Sequence, residues 1–405
     1  MNQIKFEDLT QHEVQALKHK YNFADAHTHQ SQSISQLEIV KRLPELWLES
    51  EKIKQEVLNT RFIETFYKVR KIESALMPNN IMLHYAASIA TIQVANFLLK
   101  KRLTVSLLEP CFDNLYEILM HMEIPLSPLK EELLHEEDKI YENLKNHVKT
   151  DAIFIIDPNN PTGFTLLDKK NKQSFENLVR FCKDYDKILI IDYCFANFLM
   201  NDEEIELYDT YKILRESGVK YMAIEDTGKT WPIQDAKIAM LKVSDNLYDE
   251  MYSIYTAYIL NVSPFILNFL TEYIKDSQRY QFTSTKNLLN TNRKIIEEIF
   301  DNSILKIQKP KGKVSVAWCE IMEPNLTATE LQRILCTGGI YVLPGSYFFW
   351  YNPAQGERYI RIALARNTDN FLEGMSLIRQ ILNQLDTTLS LPSLAIETEL
   401  SLIRN

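Results

Sequence analysis

The chain reads as an α/β protein, with a mostly parallel central sheet flanked by helices, a smaller α+β C-terminal domain and an N-terminal arm. Three observations predict this. Short apolar, β-rich runs alternate with long helical patterns between residues 46 and 279; each run ends at a polar motif; and from 280 onward the pattern changes to helix, strands and helix.

Residues 1–45 are polar and broken, with short amphipathic helix candidates over 13–21 and 33–43 on either side of Asp25-Ala26-His27-Thr28-His29. They form an arm rather than a domain. Residues 46–279 carry a helix over 87–100 and the runs 104–108, 152–156, 188–191 and 221–224. These runs are short and continuously apolar, as strands buried on both faces are. They stop at Glu109-Pro110, Asp157-Pro158-Asn159-Asn160, Asp192 and Glu225-Asp226. Open α/β sheets bind ligands at the carboxyl ends of their strands, so these motifs are the place to look for chemistry. Residues 280–385 supply a helix over 284–300, strands near 314–319 and 359–365, and a closing helix over 369–385; residues 386–405 are a polar tail.

Composition narrows the function. The 405 residues are 45% hydrophobic and 11% aromatic, enough to bury a large core. The net charge of -9 and the lack of a concentrated basic face argue against a nucleic-acid or anionic-membrane partner. The start has no apolar signal-like region and no stretch of the chain is apolar enough to span a bilayer, so a cytoplasmic protein is expected. Five cysteines without a C-x-x-C pair read as reduced thiols. Glycine is scarce, nine in all, and two of the nine, Gly163 and Gly228, fall in the motifs that follow.

Four motifs together specify pyridoxal phosphate (PLP). Asn160-Pro161-Thr162-Gly163, Asp192 at the end of an apolar run, Lys229 in Glu225-Asp226-Thr227-Gly228-Lys229-Thr230-Trp231-Pro232, and Arg361 in a late strand occur in that order. Such an enzyme needs a lysine to hold the aldehyde as a Schiff base and move protons, a carboxylate to keep the pyridine nitrogen charged, and a cup for the phosphate. Lys229 and Asp192 fit the first two needs. Ala87 and Ser88, opening a helix, offer free amides to an anion. Lys237 lies eight residues beyond Lys229, 237 - 229 = 8, where a phosphate-binding arginine is usual, and it is a weaker, non-bidentate substitute. Phe112 is placed to stack on the ring, Asn160 to bond its hydroxyl, and Arg361 to clamp a substrate carboxylate.

These residues resemble the fold-type-I, aspartate-aminotransferase-like superfamily of PLP enzymes over residues 50 to 385. The resemblance implies that the homodimer, or a dimer of dimers, is the working form. One departure is Phe195, where such enzymes usually carry tyrosine three residues after the aspartate. A narrower similarity lies in Leu9-Thr10-Gln11-His12-Glu13, Ala24-Asp25-Ala26-His27, Pro110-Cys111-Phe112-Asp113-Asn114, the stretch around Lys229, and Val262-Ser263-Pro264. These look like the PLP-dependent, O2-consuming L-arginine oxidases of antibiotic biosynthesis, which share the phenylalanine. That resemblance implies a four-electron oxidation of free L-arginine, to a 4,5-desaturated product in preference to 4-hydroxy-2-oxo-arginine. It also implies that Thr227 joins the cofactor cup, that Glu13, Asp25 and Asp113 face the substrate guanidinium, and that His27 carries protons near the reacting carbons.

Two other classes compete. An ordinary aminotransferase of a cationic amino acid would use the same constellation with a 2-oxo acid as second substrate. Asp25-Ala26-His27-Thr28-His29 also mimics the metal-binding start of an amidohydrolase barrel, but all eight histidines precede residue 148 and such barrels draw ligands from later strands, so no metal is expected.

Overall fold

The computed structural model describes residues 9–389, apart from the side chains of residues 113, 201 and 386–389. It divides into two compact units: residues 31–286 with 311–314, and the arm up to residue 30 with 287–310 and 315 onward.

The arm opens with a helix over Leu9–Ala16 and the two-residue strand β1, Tyr21–Asn22. The larger unit is built on strands β2 (Ile81–His84), β3 (Val105–Glu109), β4 (Leu126–Lys130), β5 (Ala152–Ile156), β6 (Ile188–Asp192), β7 (Lys220–Asp226) and β8 (Ala239–Val243). They form one sheet in the order β2-β8-β7-β6-β5-β3-β4. β4, β3, β5, β6 and β7 pair in parallel, whereas β8 runs antiparallel to both its neighbours. The predicted mostly parallel sheet is therefore present, with one reversed strand inside it.

β3, β5, β6 and β8 are buried at every position. Covering helices close both faces, and each fully buried Leu or Ile of β6 contributes about 1.5–3 kcal/mol relative to exposure. The run 152–156 becomes β5 unchanged, 104–108 shifts by one residue to become β3, 188–191 gains Asp192 in β6, and 221–224 grows to 220–226 in β7. Three further strands, β2, β4 and β8, were not foreseen; β4 carries Pro128 at the sheet edge and buries only one of its five residues, which hides it from an apolar-run reading.

In the smaller unit, β9 (Leu305–Ile307), β10 (Val316–Ile321), β12 (Leu343–Pro344) and β13 (Tyr359–Ala363) make an antiparallel sheet ordered β12-β13-β10-β9, while β11 (Ile340–Tyr341) pairs in parallel with β1 of the arm. The helices Thr283–Phe300 and Thr368–Leu389 lie close to their predicted spans, the second running into the expected tail; residues 390–405 lie outside the described residues. The first arm helix covers Leu9–Ala16 instead of 13–21, and the second is Ile34–Lys41, started by a capping box between Ser33 and Gln36. Docking of the arm on its own unit is continuous: the Phe23 amide donates to Tyr341, and the Ala363 amide donates to Phe23. A methyl group on Gly374 would strike the Phe23 ring, so that helix surface accepts the ring only because residue 374 is glycine.

Candidate active site

In the larger unit the predicted cofactor residues gather at the carboxyl ends of adjacent strands. β7 ends in Asp226, and its carboxylate accepts the Gly228 amide at 2.8 Å. Trp231 anchors the far side of the turn, its indole N–H donating to Ser277 at 2.7 Å. Within residues 226–231 every residue is buried except Lys229, which is half-buried. A lysine held at the one opening of an otherwise sealed turn is positioned for chemistry rather than for solvation. Its Nζ lies 6.0 Å from the centroid of the Phe112 ring.

Asp192 closes β6, beside β7 in the sheet. Its Oδ1 accepts the Cys194 amide at 2.8 Å, and the Cys194 thiol leans on the same carboxylate. Burial pushes the Asp192 carboxyl up and the nearby Asp226 charge adds to this, while Lys229 works in the opposite direction. A buried carboxylate in this condition suits a cationic ring N–H, which restores its charged form. Phe195 is buried and packs edge-on against Phe198, so the aromatic ring is kept where the hydroxyl is missing.

The helix Ala87–Lys101 starts at Ala86 with no side-chain cap, and the amides of Ala87 and Ser88 find no acceptor among the described residues. Lys237 folds its stem across Gly228: a Cβ there would meet Lys237 Cδ at 2.7 Å. The Lys237 amine reaches Asp235 at 3.0 Å. Free helix-end amides and an adjacent ammonium are the donor set a phosphate takes. Together with Asp192 and Lys229, these residues fit PLP. Thr227 departs from its expected role, because its hydroxyl donates to the Ile238 carbonyl at 3.0 Å and accepts the Ile238 amide at 2.9 Å. It braces the lysine turn instead of offering its proton to a phosphate.

Asn160 is buried in a turn that Gly163, at φ +70°, allows to close by donating to Asn159. Glu131 holds that turn from outside, its Oε2 accepting both the Asn159 amide and the Thr162 hydroxyl at 2.6 Å. Nothing in the local sequence marks Glu131, which sits 28 residues from Asn159. Asp113 opens the helix Asp113–His121; its side chain lies outside the described residues.

Asp157, just past β5, is buried, and that burial pushes its carboxyl up to about 7 despite hydrogen bonds from Thr165 and the Leu166 amide. The folded chain therefore keeps a proton that the unfolded chain sheds at about pH 4. The stability tied to this proton is present at low pH and is lost as pH rises toward 7. Asp157→Asn is expected to flatten that fall by more than about 1 kcal/mol, read from urea unfolding at about pH 5 and about pH 8.

In the smaller unit Arg361 lies in β13 and is fully buried. Its Nη2 donates to Glu13 Oε1 at 3.0 Å and to the Ala24 carbonyl, and its guanidinium sits over the Phe348 ring at 5.3 Å. Glu13 thus faces Arg361, and the two residues expected at opposite ends of a substrate are paired with each other. Asp25 is corrected more sharply. It is 2% exposed, and its Oδ1 accepts the His27 amide at 2.9 Å and meets His27 Nδ1 at 2.5 Å, while Oδ2 meets His29 Nε2. Both oxygens are spent inside the arm, so Asp25 does not present itself to a guanidinium.

Arg366 organises this loop. Its guanidinium donates to the carbonyls of Asn22, Asp25, His27 and Ala365, and burial lowers it to about 10. The sequence gives no sign of this, since an arginine five residues after Arg361 reads as an ordinary strand-end cation. His29 was visible only as the last residue of Asp25-Ala26-His27-Thr28-His29. Among the described residues no group of three or more His, Cys, Asp or Glu is arranged to hold a metal ion, and no helix is long and apolar enough to cross a membrane.

A family model described as aminotransferase class I and II matches residues 65–375. Among solved structures, that of MppP soaked with the product 2-ketoarginine matches with a TM-score of 0.80 at 26% identity, covering 88% of this chain and 98% of that one. Aspartate aminotransferase from Thermus thermophilus with maleate matches with a TM-score of 0.74 at 15% identity, covering 93% and 97%. Aromatic-amino-acid aminotransferase 2 of Thermococcus litoralis is 22% identical over 240 residues, which is 58% of this chain, and the chain spans only 58% of that curated relative's length.

Proposed function

Because the chain belongs to the aminotransferase class I and II family and works with PLP, we propose that it oxidises free L-arginine with O2. The observation that carries this reading is the Glu13–Arg361 pair. An enzyme that binds amino acids through an arginine ordinarily leaves that arginine to the substrate carboxylate. Here the arm sets a carboxylate beside it. A substrate with a carboxylate at one end and a guanidinium at the other can exchange this one internal pair for two, taking Arg361 with its carboxylate and Glu13 with its side chain. Similarity to MppP, whose structure was determined after soaking with the product 2-ketoarginine, supports the same choice of substrate.

PLP supplies an electron sink for the bond changes at the amino acid's carbons. Lys229 Nζ anchors it and moves the α-proton. Asp192 sets its charge against the ring nitrogen, Phe112 stacks on the ring, Asn160 bonds its hydroxyl, and Ala87, Ser88 and Lys237 hold the phosphate. His27 carries protons for the second oxidation. Four electrons leave arginine and reduce two O2 to two H2O2, one water hydrolyses the imine so that the α-amine departs as ammonium and the 2-oxo oxygen comes from that water, and the product is a 4,5-dehydro-2-oxo acid, with the 4-hydroxy-2-oxo acid, formed by addition of a second water, as the alternative. A homodimer belongs to the same reading.

The second reading is an aminotransferase of a cationic amino acid, favoured by the family model and by the curated relative. An oxygen electrode separates the two. With L-arginine as the sole substrate the purified holoenzyme is expected to consume O2 and release ammonium. Absence of uptake, together with amino transfer to an added 2-oxo acid, rejects the oxidase.

A further inference from the structure

We infer that Asp25 is a positioning residue for His27, fixing the ring proton on Nδ1 so that Nε2 is the nitrogen that gains and loses protons, with His29 as a second tether on the same carboxylate. This deepens the proposed function and rests on its assignment of proton transfer to His27.

The geometry is that of a carboxylate shared by two imidazoles. Asp25 Oδ1 takes the His27 amide at 2.9 Å and Nδ1 at 2.5 Å, and Oδ2 takes His29 Nε2. An ionised carboxylate only accepts, so each ring nitrogen facing it must carry hydrogen. For His27 this leaves the lone pair of the neutral ring on Nε2. His27 Nδ1 and His29 Nε2, the two ring nitrogens that face the carboxylate, meet separate oxygens of it.

The carboxylate itself cannot drift. Asp25 is 2% exposed, its amide donates to Asn22 Oδ1 at 3.2 Å, and its carbonyl is gripped by Arg366. His29 is fixed separately, through its amide to Ala365 at 3.0 Å. By contrast the His27 side chain is 32% exposed. A buried, fully engaged carboxylate beneath a partly exposed imidazole is the arrangement that orients a base. It is the opposite of what a guanidinium ligand needs, which is a carboxylate with oxygens to spare.

The test uses the full-chain holoenzyme and L-arginine. Asp25→Asn presents an amide N–H to the ring and turns the proton to Nε2. It is expected to lower kcat about 10²- to 10⁴-fold with KM moving less than about threefold. His27→Asn should lose as much, and the double variant no more than either single one, since the two residues act as a unit. His29→Gln keeps a donor for Oδ2 and should cost less than about tenfold. A KM raised about 100-fold with kcat preserved in Asp25→Asn makes Asp25 a guanidinium ligand and overturns the inference. Imidazole ¹⁵N spectra give a readout that does not depend on how well the variant folds. Wild-type His27 must carry its proton on Nδ1, and a proton found on Nε2 overturns the inference by itself. If His27→Asn leaves kcat intact, the proton-carrier role fails, whereas the spectra report the Asp25–His27 link independently.

Discussion

Lys229→Ala is expected to abolish turnover, by about 10⁴-fold or more, and to leave a protein that no longer acquires the visible colour of covalently attached PLP. The reason is local. Residues 226–231 form a turn in which the neighbours of Lys229 are buried and three of them are held by hydrogen bonds: Thr227 to Ile238, Gly228 to Asp226, Trp231 to Ser277. None of these three contacts involves the lysine side chain, so the turn keeps them when the amine is removed. Circular dichroism and the unfolding midpoint should therefore stay close to wild type. A coloured, active Lys229→Ala protein would remove the basis for the whole site.

Asp192→Ala is expected to produce the second largest loss. Removing one member of a buried charge pair costs about 3–5 kcal/mol, or two to four powers of ten in kcat. The cofactor should also be lost more readily during gel filtration. Asp192→Glu keeps the charge and should recover part of the activity if the pairing, and not only the shape, matters. An alanine variant with unchanged kcat and retained cofactor would place the ring nitrogen elsewhere.

The lysine, the strand-end aspartate and the Asn160 turn were legible because local sequence dictates them. A continuous apolar run sets a doubly covered strand, and the polar residue that ends it has one place to go. Gly163 and Gly228 stood out in a chain with few glycines, one for its left-handed backbone and the other for the lysine stem packed against it. The arm was legible in its residue types but not in their pairings. Charge told that Glu13, Asp25 and Arg361 bind something ionic. It could not tell that Glu13 and Arg361, 348 positions apart, bind each other, or that Asp25 turns inward to two histidines of its own loop. Arg366 and Glu131 escaped for the same reason, since each acts on partners brought by the fold from distant sequence. β8 escaped because Lys242 interrupts its short apolar run.

Arg366 fastens the arm by carbonyl oxygens, and every residue type supplies one. Attachment is thereby uncoupled from side-chain identity at Asp25 and His27, whose carbonyl oxygens Arg366 would hold whatever side chain stood there. Arg366 is the fixed mount of this loop, and any redesign of residues 22–27 should spare it.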